Sequence, residues 1–165
     1  MNKERYMKNK EWFANHKTAK SILSFLYRFL PLIMVFAVPA LIIIKGYMGI
    51  DQDFLRMIFV PVCVLAEITI LRKIIKKPRP YEDYETEPVI NRDGKGQSMP
   101  SRHTASAFII AMCAIPVSLP LTIVLLVISL IISLTRIFAG VHYISDVIAG
   151  ALISIITGII FFVIL

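Results

Sequence analysis

The chain reads as an all-α, polytopic membrane helix bundle with about five transmembrane helices and an N-terminal interfacial helix. Three observations carry this. The hydrophobic fraction is 57% and the mean hydropathy +0.74 over 165 residues, well beyond a soluble domain. Long apolar runs recur, each close to the length needed to cross a hydrocarbon core. Proline, glycine and charge gather between those runs, above all in one polar stretch at 76–102. The length fits a single membrane domain, 29–165, preceded by a basic amphipathic segment, 1–28.

The first twenty residues carry Lys3, Arg5, Lys8, Lys10, Lys17 and Lys20 against Glu4 and Glu11, with Trp12 and Phe13 interposed. Such a segment lies on anionic lipid or stays a solvated tail. Ile22, Leu23, Phe25, Leu26, Phe29 and Leu30 recur at helical spacing, which predicts a stretch lying in the interface. The first span is expected over 29–44, kinked at Pro31 and Pro39. A polar turn through Lys45, Gly46, Gly49, Asp51 and Asp53 leads to the second span, 54–75. That span holds Glu67, expected to face the bundle in a hydrogen bond. The loop 76–102 contains Pro78, Pro80, Pro88, Gly94, Gly96 and Pro100 and is read as non-helical. Further spans follow over 101–119, 121–139 and 144–165, with a tight corner at Gly140 and Val141. Cys63 and Cys113 sit in separate apolar runs without ligand spacing and read as small buried hydrophobes.

The formal net charge of +7 suits anionic headgroups or a phosphate-bearing substrate. A nucleic-acid partner is not expected, because the charge is not carried on a soluble domain. Five spans bring the N-terminus, the loop and the 136–146 corner to one face. The positive-inside rule places that face in the cytoplasm.

Three clusters on that face carry chemistry. The first, Arg72-Lys73-Ile74-Ile75-Lys76-Lys77-Pro78-Arg79-Pro80, ends the second span. Arg79 stands between two prolines, so its side chain leaves a stiff backbone. The second is Met99-Pro100-Ser101-Arg102-His103-Thr104, just before an apolar helix. Ser101 is placed to cap that helix, whose free N–H groups favour an anion beside Arg102 and His103. The third is the stretch 135–150. From Thr104 onward Arg136 and Asp146 are the only formally charged residues and His142 the only histidine. Charge inside a membrane segment is costly, by about 2.5–3.5 kcal/mol at a helix centre, and marks function. His142 and Asp146 are four apart and share a helix face, so the carboxylate can fix one imidazole tautomer.

The order and spacing of these clusters resemble the three-part signature of the type-2 phosphatidic acid phosphatase superfamily. That signature is a lysine, six residues and Arg-Pro; then Pro-Ser-Gly-His or a variant; then Ser-Arg, five residues, His, three residues and Asp. Arg79-Pro80 fits the first part, Pro100-Ser101-Arg102-His103 the second, and Arg136, His142 and Asp146 the third. The chain departs in having Arg72 where the family has lysine, Thr135 for serine, and one span fewer than many members. The resemblance covers about 54–165.

It implies a metal-independent membrane phosphatase, without cofactor, working through a phosphohistidine. His142 would attack phosphorus, Asp146 would orient it, and His103 would protonate the leaving group and then activate water. Arg72, Arg79, Ser101, Arg102 and Arg136 would bind phosphate, with Lys73 and Lys76 as additional contacts. The implied substrate is a lipid phosphate or diphosphate of the undecaprenyl diphosphate, phosphatidylglycerophosphate or phosphatidate type. The resemblance implies an outer-face site in a bacterial cell membrane, toward which the reading leans against the charge rule. The rival readings are a lipid phosphotransferase on the same site and a non-catalytic protein that binds anionic lipid. The acidic run Glu82, Asp83, Glu85 and Glu87 is expected to be solvated or to rim the site.

Overall fold

The computed structural model describes residues 2–91 and 96–165. Gly94, one of the glycines assigned to the polar loop, lies outside them. The described residues form helices α1 (Lys3–Asn15), α2 (Lys17–Met48), α3 (Gln52–Ile75), α4 (Pro80–Asp83), α5 (Arg102–Met112), α6 (Leu119–Phe138) and α7 (Ile144–Ile159), closed by a π-helical turn at Ile160–Ile164. Four of these, α2, α3, α6 and α7, are long and apolar enough to cross a membrane.

The helix ends follow local chemistry. Asn2 accepts from the Arg5 N–H, Asp51 from Phe54 and Ser118 from Leu121, each at an N-cap. The end of α6 matters most. Gly140 has φ +75°, the Val141 N–H returns to the Arg136 carbonyl, and the Gly140 N–H returns to Ile137. This is a Schellman termination. It turns the chain sharply and delivers His142 two residues later.

The short α5 is the centre of the bundle. It contacts α2, α3, α6 and α7. Its stretch from Ala107 to Met112 is buried throughout. It joins Met57, Val60, Val64 and Ile68 of α3, Leu125 and Ile132 of α6, and Met34 and Leu41 of α2 in one core. The expected third span over 101–119 is therefore short. The helix stops at Met112, and 113–117 form turns. Eleven residues reach about 17 Å at 1.5 Å per residue, roughly half a hydrocarbon core. Pro116 lies in those turns and cannot continue the helix, and Pro120 falls in the first turn of α6.

Other boundaries also moved. The first membrane helix begins at Lys17 instead of residue 29, and it runs unbroken through Pro31 and Pro39. The interfacial stretch is thus the first turns of α2. The segment before it is neither a tail nor a free surface helix. Tyr6 of α1 is fully buried beneath Gly140, its hydroxyl 3.4 Å from the Gly140 carbonyl. Asn9 Nδ2 donates to the Phe138 carbonyl at 2.9 Å, and Phe13 packs edge-on to Phe138. The helix clamps the corner that carries His142. Glu67 is exposed on the outer side of α3 instead of facing the bundle, and Cys63, one turn earlier, is exposed as well. Cys113 is buried as expected.

At the opposite end Lys45 pairs with Asp51 at 2.6 Å, and Arg56 reaches both Asp53 and the Leu165 carbonyl. The α2–α3 turn and the C-terminus therefore sit together, away from α1, the loop and the 136–146 corner.

Candidate active site

Residues separated by up to seventy positions meet where the loop, the start of α5 and the start of α7 converge. The loop is tied down by arginines that the sequence assigned to phosphate. Arg72, near the end of α3, is buried and donates through Nη1 to the carbonyls of Ser98 (3.2 Å) and Pro100 (2.8 Å). Arg79 is buried too and donates through Nε to the Gly96 carbonyl. Glu82 accepts from the Arg79 N–H at 2.9 Å and from the Gly96 N–H at 2.6 Å. The acidic run is thus partly a staple. Pro80 opens a single helical turn there, α4, so this part of the loop is helical after all. Asp83 accepts from the Tyr143 hydroxyl at 2.8 Å. Burial and that carboxylate push the Tyr143 phenol well above its ordinary range.

Loop and α7 then lock together. The Ser101 N–H donates to the Asp146 carbonyl at 2.9 Å. Gly150, one turn further on, makes the approach feasible, because an added Cβ would stand 2.7 Å from the Ser101 carbonyl oxygen. Gly150→Ala is expected to push residues 98–103 off α7. Phosphate release should fall about 10- to 100-fold with helix content unchanged, since small misplacements of catalytic groups cost that much. Steady-state kinetics and circular dichroism on the purified variant check it.

At the centre of this convergence is the His142–Asp146 pair. His142 is 1% exposed and Asp146 fully buried. They do share a face, but their direct separation, His142 Nδ1 to Asp146 Oδ2, is 3.6 Å. The Ser98 hydroxyl lies between them, 3.3 Å from His142 Nδ1, and donates to Asp146 Oδ2 in a short hydrogen bond. Asp146 Oδ2 also accepts from the Tyr143 N–H at 2.9 Å. The other oxygen, Oδ1, takes Lys77 Nζ at 2.8 Å. Lys77 also reaches Ser145 Oγ and lies over the Tyr143 ring. With Nδ1 engaged by Ser98 and Asp146, the Nε2 side of His142 is left for the cavity.

Burial pushes His142 down to about 4; the nearby Asp146 carboxylate opposes this, and Arg79 and Arg72 add to it. An imidazole held that low is neutral near pH 7.

The cavity has a volume of about 260 Å³ and is lined by Arg72, Arg79, Arg102, His103, His142, Leu65 and Ser106. Five of these seven were expected from sequence. Ser101 and Arg136 do not line it. Ser101 stands at the N-cap position, but its hydroxyl makes no cap bond and accepts from Thr104 Oγ1 at 3.1 Å. Arg136 is buried behind the corner. Its guanidinium lies 3.8 Å from the Tyr27 ring centroid and donates to the Tyr27 carbonyl. Lys73 and Lys76 are exposed and outside the cavity. Lys77 and Ser98 are the two site residues that sequence reasoning missed. Lys77 was one cation among five in its cluster, and Ser98 had no signal beyond lying three residues before Ser101.

Leu65 and Ser106 also line a neighbouring apolar groove between α2, α3 and α5. Val38, Ile42, Met57, Ile58, Pro61, Val62, Ile109 and Ile110 line it with those two residues. Among the described residues no group of three carboxylate, histidine or cysteine side chains is arranged to hold a metal ion.

The PAP2 superfamily model matches residues 53–165, more than half of the chain and all of this site. The chain belongs to the PAP2 superfamily. It is thereby a membrane lipid phosphatase in general class. Among solved structures it is similar to Aquifex aeolicus LpxE, with 27% identity and a TM-score of 0.73, over 96% of this chain and 93% of that one. It also matches the first transmembrane PAP2 type phosphatidylglycerolphosphate phosphatase from Bacillus subtilis, with 18% identity and a TM-score of 0.48, over 92% and 90%. No curated protein matches. The PAP2 chain thus has a solved relative that shares nearly its full length.

Proposed function

We propose that this PAP2 protein hydrolyses a lipid phosphate or diphosphate through a phosphohistidine on His142, without a metal. The observation that carries this reading is an arginine- and histidine-lined cavity with an apolar groove beside it, the two sharing Leu65 and Ser106 as a wall. A charged head has a place in the first and its tail in the second. A water-soluble phosphate would leave the groove unused.

In this reading His142 Nε2 attacks phosphorus while Nδ1–H remains held by Ser98 and Asp146. Arg72, Arg79 and Arg102 neutralise the equatorial oxygens. Positioning and charge neutralisation are most of what phosphoryl transfer requires. His103 protonates the leaving oxygen, then takes a proton from the water that opens the phosphohistidine. Ser101 supports this through its backbone, fixing the start of α5 against α7. Arg136 acts by bracing the corner from behind, through Tyr27. Substrates of the undecaprenyl diphosphate, phosphatidylglycerophosphate and phosphatidate types all satisfy the head-and-tail requirement.

The test is phosphate release from those three lipids in detergent with EDTA. Release that persists with chelator is the expected result. Loss on chelation, restored by a divalent cation, would overturn the metal-free mechanism. Transfer of the phosphate to an alcohol acceptor in place of water would favour the phosphotransferase.

Lys77 gives a separate expectation. It faces Asp146 and draws part of the carboxylate's field away from His142. Lys77→Met should let that field act on the imidazole, raising its pKa from about 4. The acid limb of the kcat/KM profile should then move up by about one pH unit. A merely structural lysine would lower the rate at every pH and leave the limb in place.

A further inference from the structure

A second cavity lies on the same face, away from the reactive pair. Its volume is about 380 Å³, and none of its lining residues belongs to the catalytic cavity. Three separate segments wall it: α1 through Lys10, α2 through Lys20, Ser24 and Arg28, and the loop through 87–91. Lys20, Ser24 and Arg28 are spaced by four, so α2 presents them in one row. Lys10 arrives from the other side, fixed by a 2.6 Å hydrogen bond to Thr86 Oγ1. Glu87 is the one acidic side chain in the lining. The floor is apolar, because Val89 and Ile90 are buried with Phe13 and Leu23.

The surroundings place this cavity at the edge of the bilayer. Ile22, Phe25 and Phe29 alternate with the basic row on α2 and are exposed, and the Phe25 and Phe29 rings lie 4.6 Å apart. A row of cations beside exposed apolar side chains on one helix suits the boundary between headgroups and acyl chains. Lys20 and Arg28 form no ion pair among the described residues.

We infer that this cavity is a second anion site, holding the phosphate-bearing headgroup of a membrane lipid that is not the one being hydrolysed. Three cations against one carboxylate leave net positive charge for a phosphodiester. The apolar floor suits the glycerol end of the lipid, and the exposed rings flank its chains. Because the walls come from α1, α2 and the loop, a bound headgroup adds a polar tie between three segments that already share the apolar floor. Occupancy should therefore register as stability.

The experiment uses the full chain in neutral detergent, in a His142→Ala background so that no lipid is consumed. Thermal unfolding is followed with added dioleoyl phosphatidylglycerol, dioleoyl phosphatidylcholine or inorganic phosphate. Phosphatidylglycerol should raise Tm saturably by about 5 °C, and phosphatidylcholine should not. Lys20→Gln combined with Arg28→Gln should abolish most of that rise. Both side chains are exposed, so the lipid-free Tm of this variant serves as the control for folding. A rise with inorganic phosphate that the same variant loses would show that the anion alone is recognised. A rise with phosphatidylglycerol only would show that the lipid is required. Equal rises with both lipids, or an undiminished rise in the variant, would overturn the inference. None of these outcomes depends on the catalytic reading, since occupancy is read as unfolding temperature and not as phosphate release.

Discussion

His142→Ala should reduce phosphate release by about 10⁴-fold or more, because it removes the atom that forms the covalent intermediate. The side chain is 1% exposed and ends the corner set by Gly140, so its loss leaves a small void and the corner stands. Helix content should be unchanged. His103→Ala should behave differently, with a loss of about 10²- to 10⁴-fold, the range for general acid–base groups. The two variants separate cleanly with a substrate whose leaving group needs no protonation. There the His103 variant still forms the phosphohistidine and fails to open it. Radiolabelled phosphate should accumulate on that protein as an acid-labile, alkali-stable adduct, and none should appear on the His142 variant. A His142 variant that retains wild-type release would end the covalent mechanism.

Asp146→Asn carries the second largest expected loss, about 10³- to 10⁴-fold in kcat, as when a buried carboxylate orienting a catalytic histidine is neutralised. The carboxylate receives Ser98 Oγ, the Tyr143 N–H and Lys77 Nζ, and it stands 3.6 Å from His142 Nδ1. An amide has one acceptor oxygen and no charge. It cannot serve Ser98 and Lys77 together, and it leaves a partly buried ammonium unpaired. KM should change little, because Asp146 does not line the cavity. Ser98→Ala removes the hydroxyl that bridges the imidazole and the carboxylate and keeps the Lys77 pair. A smaller loss of about 10- to 100-fold is expected there. Steady-state kinetics on both variants, alongside thermal unfolding, checks the order.

The bundle and the reactive groups were legible because both are written in strong local signals. Apolar runs announce helices, and a lone charge in such a run has to be justified by function. Hence His142 and Asp146 stood out on local grounds, while the motif resemblance supplied roles for His103, Arg72, Arg79 and Arg102; all but Asp146 line one cavity. What escaped was set by long-range packing. Ser98 acts on a histidine 44 residues away, and Lys77 differs from Lys73 and Lys76 only in where the end of α3 points it. Arg136 shows the converse: it fits the motif by spacing, yet the ring of Tyr27, 109 residues earlier, captures it. The role of α1 was hidden because Tyr6 and Phe13 look like stray aromatics in a basic segment until Gly140 and Phe138 are seen to receive them. Helix lengths erred for a simpler reason. Hydropathy does not distinguish a span from a buried half-length helix, and α5 is the latter.

The apolar groove that shares Leu65 and Ser106 with the cavity has a kinetic consequence under the lipid-phosphate reading. A protein approached from within the bilayer meets its substrate in two dimensions. The concentration that governs its rate is then the mole fraction of lipid phosphate in the plane of the membrane, and the amount per litre is irrelevant once all of it is dispersed. Diluting the substrate with inert detergent at constant bulk concentration should slow turnover as effectively as removing it. Saturation curves taken at different detergent levels should collapse onto one line when plotted against surface composition.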